Sequence, residues 1–252
     1  FASNGLDGWI TGERGLVLMS TDGGATWKRK ASGVAENLLR VAVLDAKTAC
    51  VVGTNGTLII THDAGATWEV HNLKSGLTLF DVEFVDPRNG WAVGEFQTVL
   101  HTADGGTTWQ VQSGGKRADF ESSPYFGVHF FDLQHGWVTA QGGVIWWTQD
   151  GGEHWAKLKV TSESSFFSIT ADTTDTGRPA KDVWMAGENG TLMSIPVRNG
   201  SPVEPVEPIL YHPSFYSLTD LAFAGAVGIA VGIEGTILRT ENGGRSWEQS
   251  EQ

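Results

Sequence analysis

Apolar and polar residues alternate in short bursts along the whole chain, and no stretch carries the three-to-four-residue spacing of an amphipathic helix. The pattern is plainest in Gly90 to Trp109, GWAVGEFQTVLHTADGGTTW. An apolar burst, Trp91-Ala92-Val93, meets a polar tip, Gly94-Glu95-Phe96-Gln97, and is answered by Val99-Leu100-His101-Thr102. A second turn, Asp104-Gly105-Gly106-Thr107-Thr108, then delivers Trp109. β-branched and aromatic residues suit pleated strands, and Asp and Thr side chains bond turn amides locally. Glycine is expected to supply positive φ at the tips. The prediction is strand, tip, strand, turn.

The same string recurs. The position of Trp91 is held by Trp9, Cys50, Trp137, Trp184 and Ile229, at spacings of 41, 41, 46, 47 and 45 residues. Three residues later stands Gly12, Gly53, Gly94, Gly187 or Gly232, with Ala140 the exception. The second turn recurs as STDGGATW, THDAGATW, TADGGTTW, TQDGGEHW and TENGGRSW. Between one such Trp and the next repeat lies a further strand, apolar on one face, as in Leu39/Val41/Val43 or Phe80/Val82/Phe84. Each repeat is therefore four short strands in a meander. A single such sheet, apolar on both faces, cannot bury itself, whereas sheets stacked radially around an axis cover one another. That is the logic of a β-propeller. The expectation is one all-β domain over 1–252, with four-stranded antiparallel blades at about 1–31, 38–72, 78–113, 124–159, 165–212 and 217–250.

The S/T-x-D-x-G-x-T/S-W strings are Asp-boxes, also called bacterial neuraminidase repeats. Together with the GWAVGxxGxxLxT lead-in, they make the chain resemble the photosystem II stability/assembly factor-like propellers over essentially its whole length. That family includes bacterial extracytoplasmic members unconnected with photosynthesis. The resemblance implies an extracytoplasmic compartment, periplasmic or secreted, and a protein partner such as a membrane-protein complex. The box alone is shared with sialidases, other glycosidases and sortilin-type receptors, so it marks a fold rather than an activity.

Departures from the repeat are equally legible. The fifth copy keeps its tip, Gly187-Glu188-Asn189-Gly190, but replaces the box with a segment holding Pro196, Pro202, Pro205, Pro208 and Pro213. That segment is expected to run extended and poorly hydrogen-bonded on the surface. Asp172 to Asp182 is a second polar insertion. Phe1 aligns with the last apolar position of an inner strand, so the first repeat is short of most of that strand. Family members often have seven blades; six repeats are countable here. Closure is expected to use residues upstream of Phe1 or to leave blade one incomplete.

Composition narrows the partners. Gly 33 and Trp 11 in 252 residues fit many tight turns and aromatic packing. A net charge of -12, with no basic run longer than Lys28-Arg29-Lys30, disfavours nucleic acid and anionic lipid. The one cysteine, Cys50, rules out an intrachain disulfide and reads as a small core residue. No apolar run approaches the roughly 20 residues of a membrane span, so direct insertion is not expected. No signal peptide is visible, but the sequence starts in mid-pattern.

The box acids Asp22, Asp63, Asp104 and Asp150, with Asn242, invite a metal or catalytic reading. One per blade, at the outer rim, they are expected to be structural, accepting turn amides while Trp27, Trp68, Trp109, Trp155 and Trp247 pack between blades. Asn242 can accept the same bonds without charge. A sialidase needs an arginine triad and paired groups of opposite protonation state. Here Arg14, Arg40, Arg88 and Arg239 hold non-equivalent blade positions, and only Tyr125, Tyr211 and Tyr216 are tyrosines. Seven histidines show no metal spacing, and no glycine-rich loop opens a helix. No catalytic residue, cofactor or metal is therefore assigned.

Two binding features remain. The tip-loop face, opposite the boxes, carries Arg14, Glu95 and Phe96, and the loop from Gly114 to Glu121 adds Lys116, Arg117 and Phe120. Arg and aromatic side chains at an exposed rim are the types that anchor interfaces. The second is an axial channel lined by Arg40, Asp81, Glu83, His129, Ser168, Thr170 and Asp220, which alternate with the apolar set. The expected function is a non-enzymatic scaffold binding a protein through the tip-loop face. The alternative is a glycan-binding or sialidase-like glycoside hydrolase propeller.

Overall fold

The computed structural model describes residues 1–73, 76–113, 123–158, 160, 162–171, 182–203, 209–211 and 215–250. The chain divides into two compact units, 1–125 and 126–252. Apart from strands, the described residues form only three-residue 3-10 turns. None of their helices is long and apolar enough to cross a membrane.

The first unit carries three sheets. Sheet 1 has three strands, Gly8–Thr11, Leu16–Ser20 and Lys28–Ala31. Sheet 2 runs Leu38–Val43, Ala49–Gly53, Thr57–Thr61 and Glu69–Asn72; sheet 3 runs Leu79–Phe84, Gly90–Gly94, Val99–Thr102 and Gln110–Ser113. Sheet 4, entered at Tyr125, leads the second unit with Tyr125–Phe130, Gly136–Ala140, Ile145–Thr148 and Ala156–Leu158. Sheet 5 holds Phe166–Ala171, Asp182–Gly187 and Leu192–Arg198, and sheet 6 holds Leu218–Ala224, Val227–Gly232, Ile237–Thr240 and Glu248–Gln249. Pairing is antiparallel and between chain neighbours, except that Ile209–Tyr211 pairs, also antiparallel, with Leu192–Arg198. These are the blades of a β-propeller.

Alternation decides which face meets which neighbour. In sheet 5, Trp184 packs with Leu218, Leu221, Ala230 and Leu238 of sheet 6, while Val183 and Met185 pack with Trp137 and Ile145 of sheet 4. The first unit repeats the arrangement. Trp9 packs with Leu38, Val51 and Ile59, and Cys50 with Leu79, Val82 and Leu100. Cys50 is fully buried, and burial pushes its thiol pKa well above the usual range, so it is an unreactive core group.

The proline-rich segment departs from its prediction. Pro196 lies inside the strand Leu192–Arg198, which pairs with Ser201–Pro202 on one side and Ile209–Tyr211 on the other. The chain reverses through Asn199 and Gly200, both at positive φ, the signature of a tight hairpin turn. Val203 N–H then donates to the Pro196 carbonyl at 3.0 Å. The Gly200 carbonyl accepts from Trp137 Nε1 at 2.7 Å, which ties the hairpin back to sheet 4. Proline blocks only the ladder bonds that its own nitrogen would donate, and the remaining groups found partners. The insertion after Ala171, 172–181, lies outside the described residues.

Candidate functional site

The second turns form one hydrogen-bond pattern. In sheet 1, Asp22 Oδ1 accepts from Thr26 N–H at 2.9 Å, and Oδ2 accepts from the Thr26 hydroxyl at 2.6 Å. Ser20 Oγ donates to Asp22 Oδ1 at 2.7 Å while accepting from Gly24 N–H at 2.8 Å. Asp63 with Thr61 and Thr67, and Asp104 with Thr102 and Thr108, repeat the pattern. At Asp150 the imidazole Nδ1 of His154 takes the hydroxyl's place, 2.7 Å from Oδ2. These bonds hold the carboxyls of Asp22, Asp63, Asp104 and Asp150 down at about 2. The threonine hydroxyl is the largest cause at the first three, and the His154 amide at Asp150. A carboxyl so placed stays ionised at neutral pH and cannot serve as a general acid. Asn242 accepts from Ser246 N–H at 3.0 Å without any charge. Around these turns the rings pack edge-on: Phe1 on Trp27, Phe84 on Trp109, Phe130 on Trp155 and Phe223 on Trp247. Trp68 meets Trp9 in the same way.

The tips are built differently from the expectation. Gly12, Gly53, Gly94, Gly187 and Gly232 are extended, with φ between -153 and -170. Positive φ falls two and three residues later, for example at Asn55 and Gly56. The leading glycine is needed for close approach instead. A Cβ on Gly53, Gly94, Gly187 or Gly232 would collide with the carbonyl oxygen of Asn37, Thr78, Ser165 or Ser217. These are the loop residues just before the first strand of the same sheet.

The tips also clasp the following sheet. Arg14 N–H donates to Asn37 Oδ1 at 3.1 Å, Gly142 N–H to Ser165 Oγ at 3.1 Å, and Asn189 N–H to Ser217 Oγ at 3.4 Å. Arg14 is thereby fixed through its backbone, at φ 54, with its side chain exposed. The Glu95 carboxylate accepts from Thr78 N–H at 2.7 Å, and Glu188 does the same for Ser165 at 2.9 Å. Glu95 therefore has a bond within its own sheet, a role that its position in the repeat did not reveal. Phe96 is half-buried at φ 53, followed by Gln97 at φ 55, where most other tips have glycine. Lys116, Arg117 and Phe120 lie outside the described residues.

The polar residues of the first strands follow a bulge, not plain alternation. Register slips between Leu38 and Arg40, Leu79 and Asp81, Phe166 and Ser168, and Leu218 and Asp220. The extra residue bends the strand and re-aims the side chain after it. Arg40 Nε then reaches Asp81 Oδ1 at 3.0 Å, and Ser168 Oγ reaches Asp220 Oδ1 at 2.9 Å. Asp81, His129 and Ser168 are buried. Sheet 4 has Gly127 at the same place, where a Cβ would press on Ile169 and Thr139.

Sequence reasoning missed three exposed apolar groups on the tip side of sheet 6. Phe215 is 98% exposed, and Tyr216 and Ile233 about half. Ile233 N–H donates to the Ser217 carbonyl at 3.1 Å, which places the tip beside the loop carrying Phe215 and Tyr216. A signal existed: Ile233 stands where the other tips have Glu13, Thr54, Glu95, Gln141 and Glu188.

The profile of the photosynthesis system II assembly factor YCF48 matches residues 62–165. The chain is a β-propeller that resembles that family over the matched residues. It superposes on YCF48 from Cyanidioschyzon merolae with a TM-score of 0.75 at 20% identity, covering 99% of this chain and 83% of that one. On YCF48 bound to D1 peptide the score is 0.71 at 17% identity, covering 97% and 77%. An ancestral GH74 enzyme gives 0.73 at 12% identity, but the chain spans only 39% of its length. At such identities these structures share the fold. No curated protein sequence matches the chain.

Proposed function

We propose that this propeller is a non-enzymatic, extracytoplasmic scaffold that holds a protein segment during assembly of a membrane-protein complex. The observation that carries the reading is the YCF48 profile match at 62–165, within a chain whose fold superposes along 97% of its length on YCF48 bound to D1 peptide. A peptide-binding propeller needs rigid sheets and variable tips, and in the first unit the clasped Arg14 tip and the aromatic tip residue Phe96 meet that need. The proposed contact face is the tip-loop side, with Arg14, Phe96, Lys116, Arg117 and Phe120 as its first candidates. The low-lying box carboxyls supply no general acid for glycoside cleavage.

The test is co-isolation with membrane-protein complexes solubilised from the native host. The triple variant Phe96→Ala, Lys116→Glu, Arg117→Glu is expected to lose the complex while keeping its Tm. Unchanged association would remove this face from the reading, and no association by the wild type would remove the scaffold itself. Turnover of a fluorogenic glycoside panel would favour the glycosidase instead.

A further inference from the structure

Six of the eight asparagines precede a glycine: Asn4, Asn55, Asn89, Asn189, Asn199 and Asn242. Such a pair can close on itself, the glycine amide nitrogen attacking the asparagine Cγ. A neighbour without Cβ leaves that nitrogen unhindered. In a folded chain the attack also needs the nitrogen free of a hydrogen bond and a turn that opens locally.

Five of the six pairs are tied. Gly5 N–H donates to the Ala2 carbonyl at 2.9 Å, Gly56 N–H to that of Leu77 at 2.5 Å and Gly243 N–H to that of Ala226 at 2.8 Å. Gly90 is a ladder residue between Phe84 and Thr102, and the Asn89 side chain donates to Asp86 at 2.8 Å. Asn189 is clasped through its own N–H by Ser217 Oγ. The Asn199–Gly200 pair differs. Asn199 is exposed, and among the described residues neither its side chain nor the Gly200 N–H has a partner. Both residues sit in the left-handed region, at φ 51 and 75. One arm of their hairpin, Ser201–Pro202, is only two residues long. Trp137 holds the carbonyl of Gly200, not its nitrogen.

We propose that Asn199 is a site of spontaneous deamidation, converted to aspartate and isoaspartate, and that the isoaspartate unhooks the sheet 5 hairpin from sheet 4. Gly200 N bonds to Asn199 Cγ and gives up its proton as the Cγ–Nδ2 bond breaks, and ammonia leaves. The five-membered succinimide then takes up one water. Cleavage of the new N–Cγ bond gives aspartate. Cleavage at the backbone carbonyl of residue 199 gives isoaspartate, whose main chain runs through Cβ and Cγ and is one methylene longer. No oxidant or reductant is consumed. Aspartate keeps the turn, since it tolerates the left-handed region as asparagine does. The longer chain displaces the Gly200 carbonyl that accepts from Trp137 Nε1.

The test is a time course of the folded protein in mildly alkaline buffer, read by peptide mass mapping. The peptide carrying Asn199 should gain about 1 Da and split into two isomeric products. It should do so more than about tenfold faster than the peptides carrying the other five pairs. In denaturant all six should react at similar rates. Exchange of the Trp137 indole N–H should quicken as isoaspartate accumulates, and should not change with time in Asn199→Gln. An unreactive Asn199, or equal rates at Asn55 and Asn242 in the folded protein, would overturn the proposal. A preference for Asn199 that persists in denaturant would overturn it too, because the fold would not have set the order. Trp137 exchange indifferent to isoaspartate would overturn the unhooking.

Discussion

Arg40 Nε stands 3.0 Å from Asp81 Oδ1, each residue set just after a bulge in the first strand of its sheet. Ser168 and Asp220 repeat the relationship in the second unit, with a hydroxyl as the donor. The bulge costs a ladder position and returns a polar joint between neighbouring sheets. Asp81 also accepts from Val82 N–H at 2.9 Å, so the carboxylate braces its own bulge. With Asp81 nearly buried and Arg40 about a third exposed, the pair lies between the surface and interior cases. Asp81→Asn is expected to lower stability by about 1–2 kcal/mol, read as a fall in the urea midpoint. A double-mutant cycle with Arg40→Met should show coupling; additive effects would deny it.

Gln97 occupies a left-handed position that is glycine in five of the six tips, as at Gly56 and Gly190. Gln97→Gly is therefore expected to stabilise by up to about 1 kcal/mol, from relief of backbone strain. Gly94→Ala should do the reverse, costing about 2–3 kcal/mol by pressing a methyl on the Thr78 carbonyl. Thermal melts of the two variants should move in opposite directions. A shared direction would refute the assignment of close approach to one glycine and positive φ to the other position.

The four box carboxyls set an acid limit. Their pKa values in the fold, about 2, lie below the ordinary 3.8. The stabilisation is present in full above about pH 4 and is lost as pH falls through about 2. Carboxyl carbon shifts in NMR should titrate in that range for Asp22, Asp63, Asp104 and Asp150. Asp104→Asn should keep the turn, as Asn242 does, and flatten the acid limb of the stability curve.

The Trp137–Gly200 bond makes a separate claim about the hairpin of sheet 5. Trp137→Phe keeps the ring but removes the donor at 2.7 Å, and should cost about 1 kcal/mol. Gly200→Ala should cost more, because its Cβ would press on His135 at a left-handed backbone position. Amide exchange of Val203 should quicken in both variants if the hairpin is anchored there.

Self-similarity made most of the fold legible. Strand periods, box turns and the identity of the core Trp positions can be read from local strings, because each depends on residues a few places apart. The turn bonds that Asp22, Asp63 and Asp104 accept were equally legible, since Asn242 can accept the same bond without charge. The tip glycines were misread because the demand on them comes from a carbonyl far upstream, such as that of Thr78 for Gly94 or Ser165 for Gly187, and no local pattern records that approach. Pro196 was placed in an extended, poorly hydrogen-bonded segment, yet it lies in a strand paired on both sides, because proline removes only one donor and the pairing strands come from further along the chain.

The chain's own sequence thus determined the repeated sheet and its turns, properties of neighbours along the backbone. Tertiary structure alone decided which polar residues meet and which apolar faces are covered. Arg40 and Asp81 are brought together by bulges, and Ile229 stays exposed where Trp184 is buried. Burial is a relation between sheets, and an identical position in the repeat can stand at either extreme according to what lies against it.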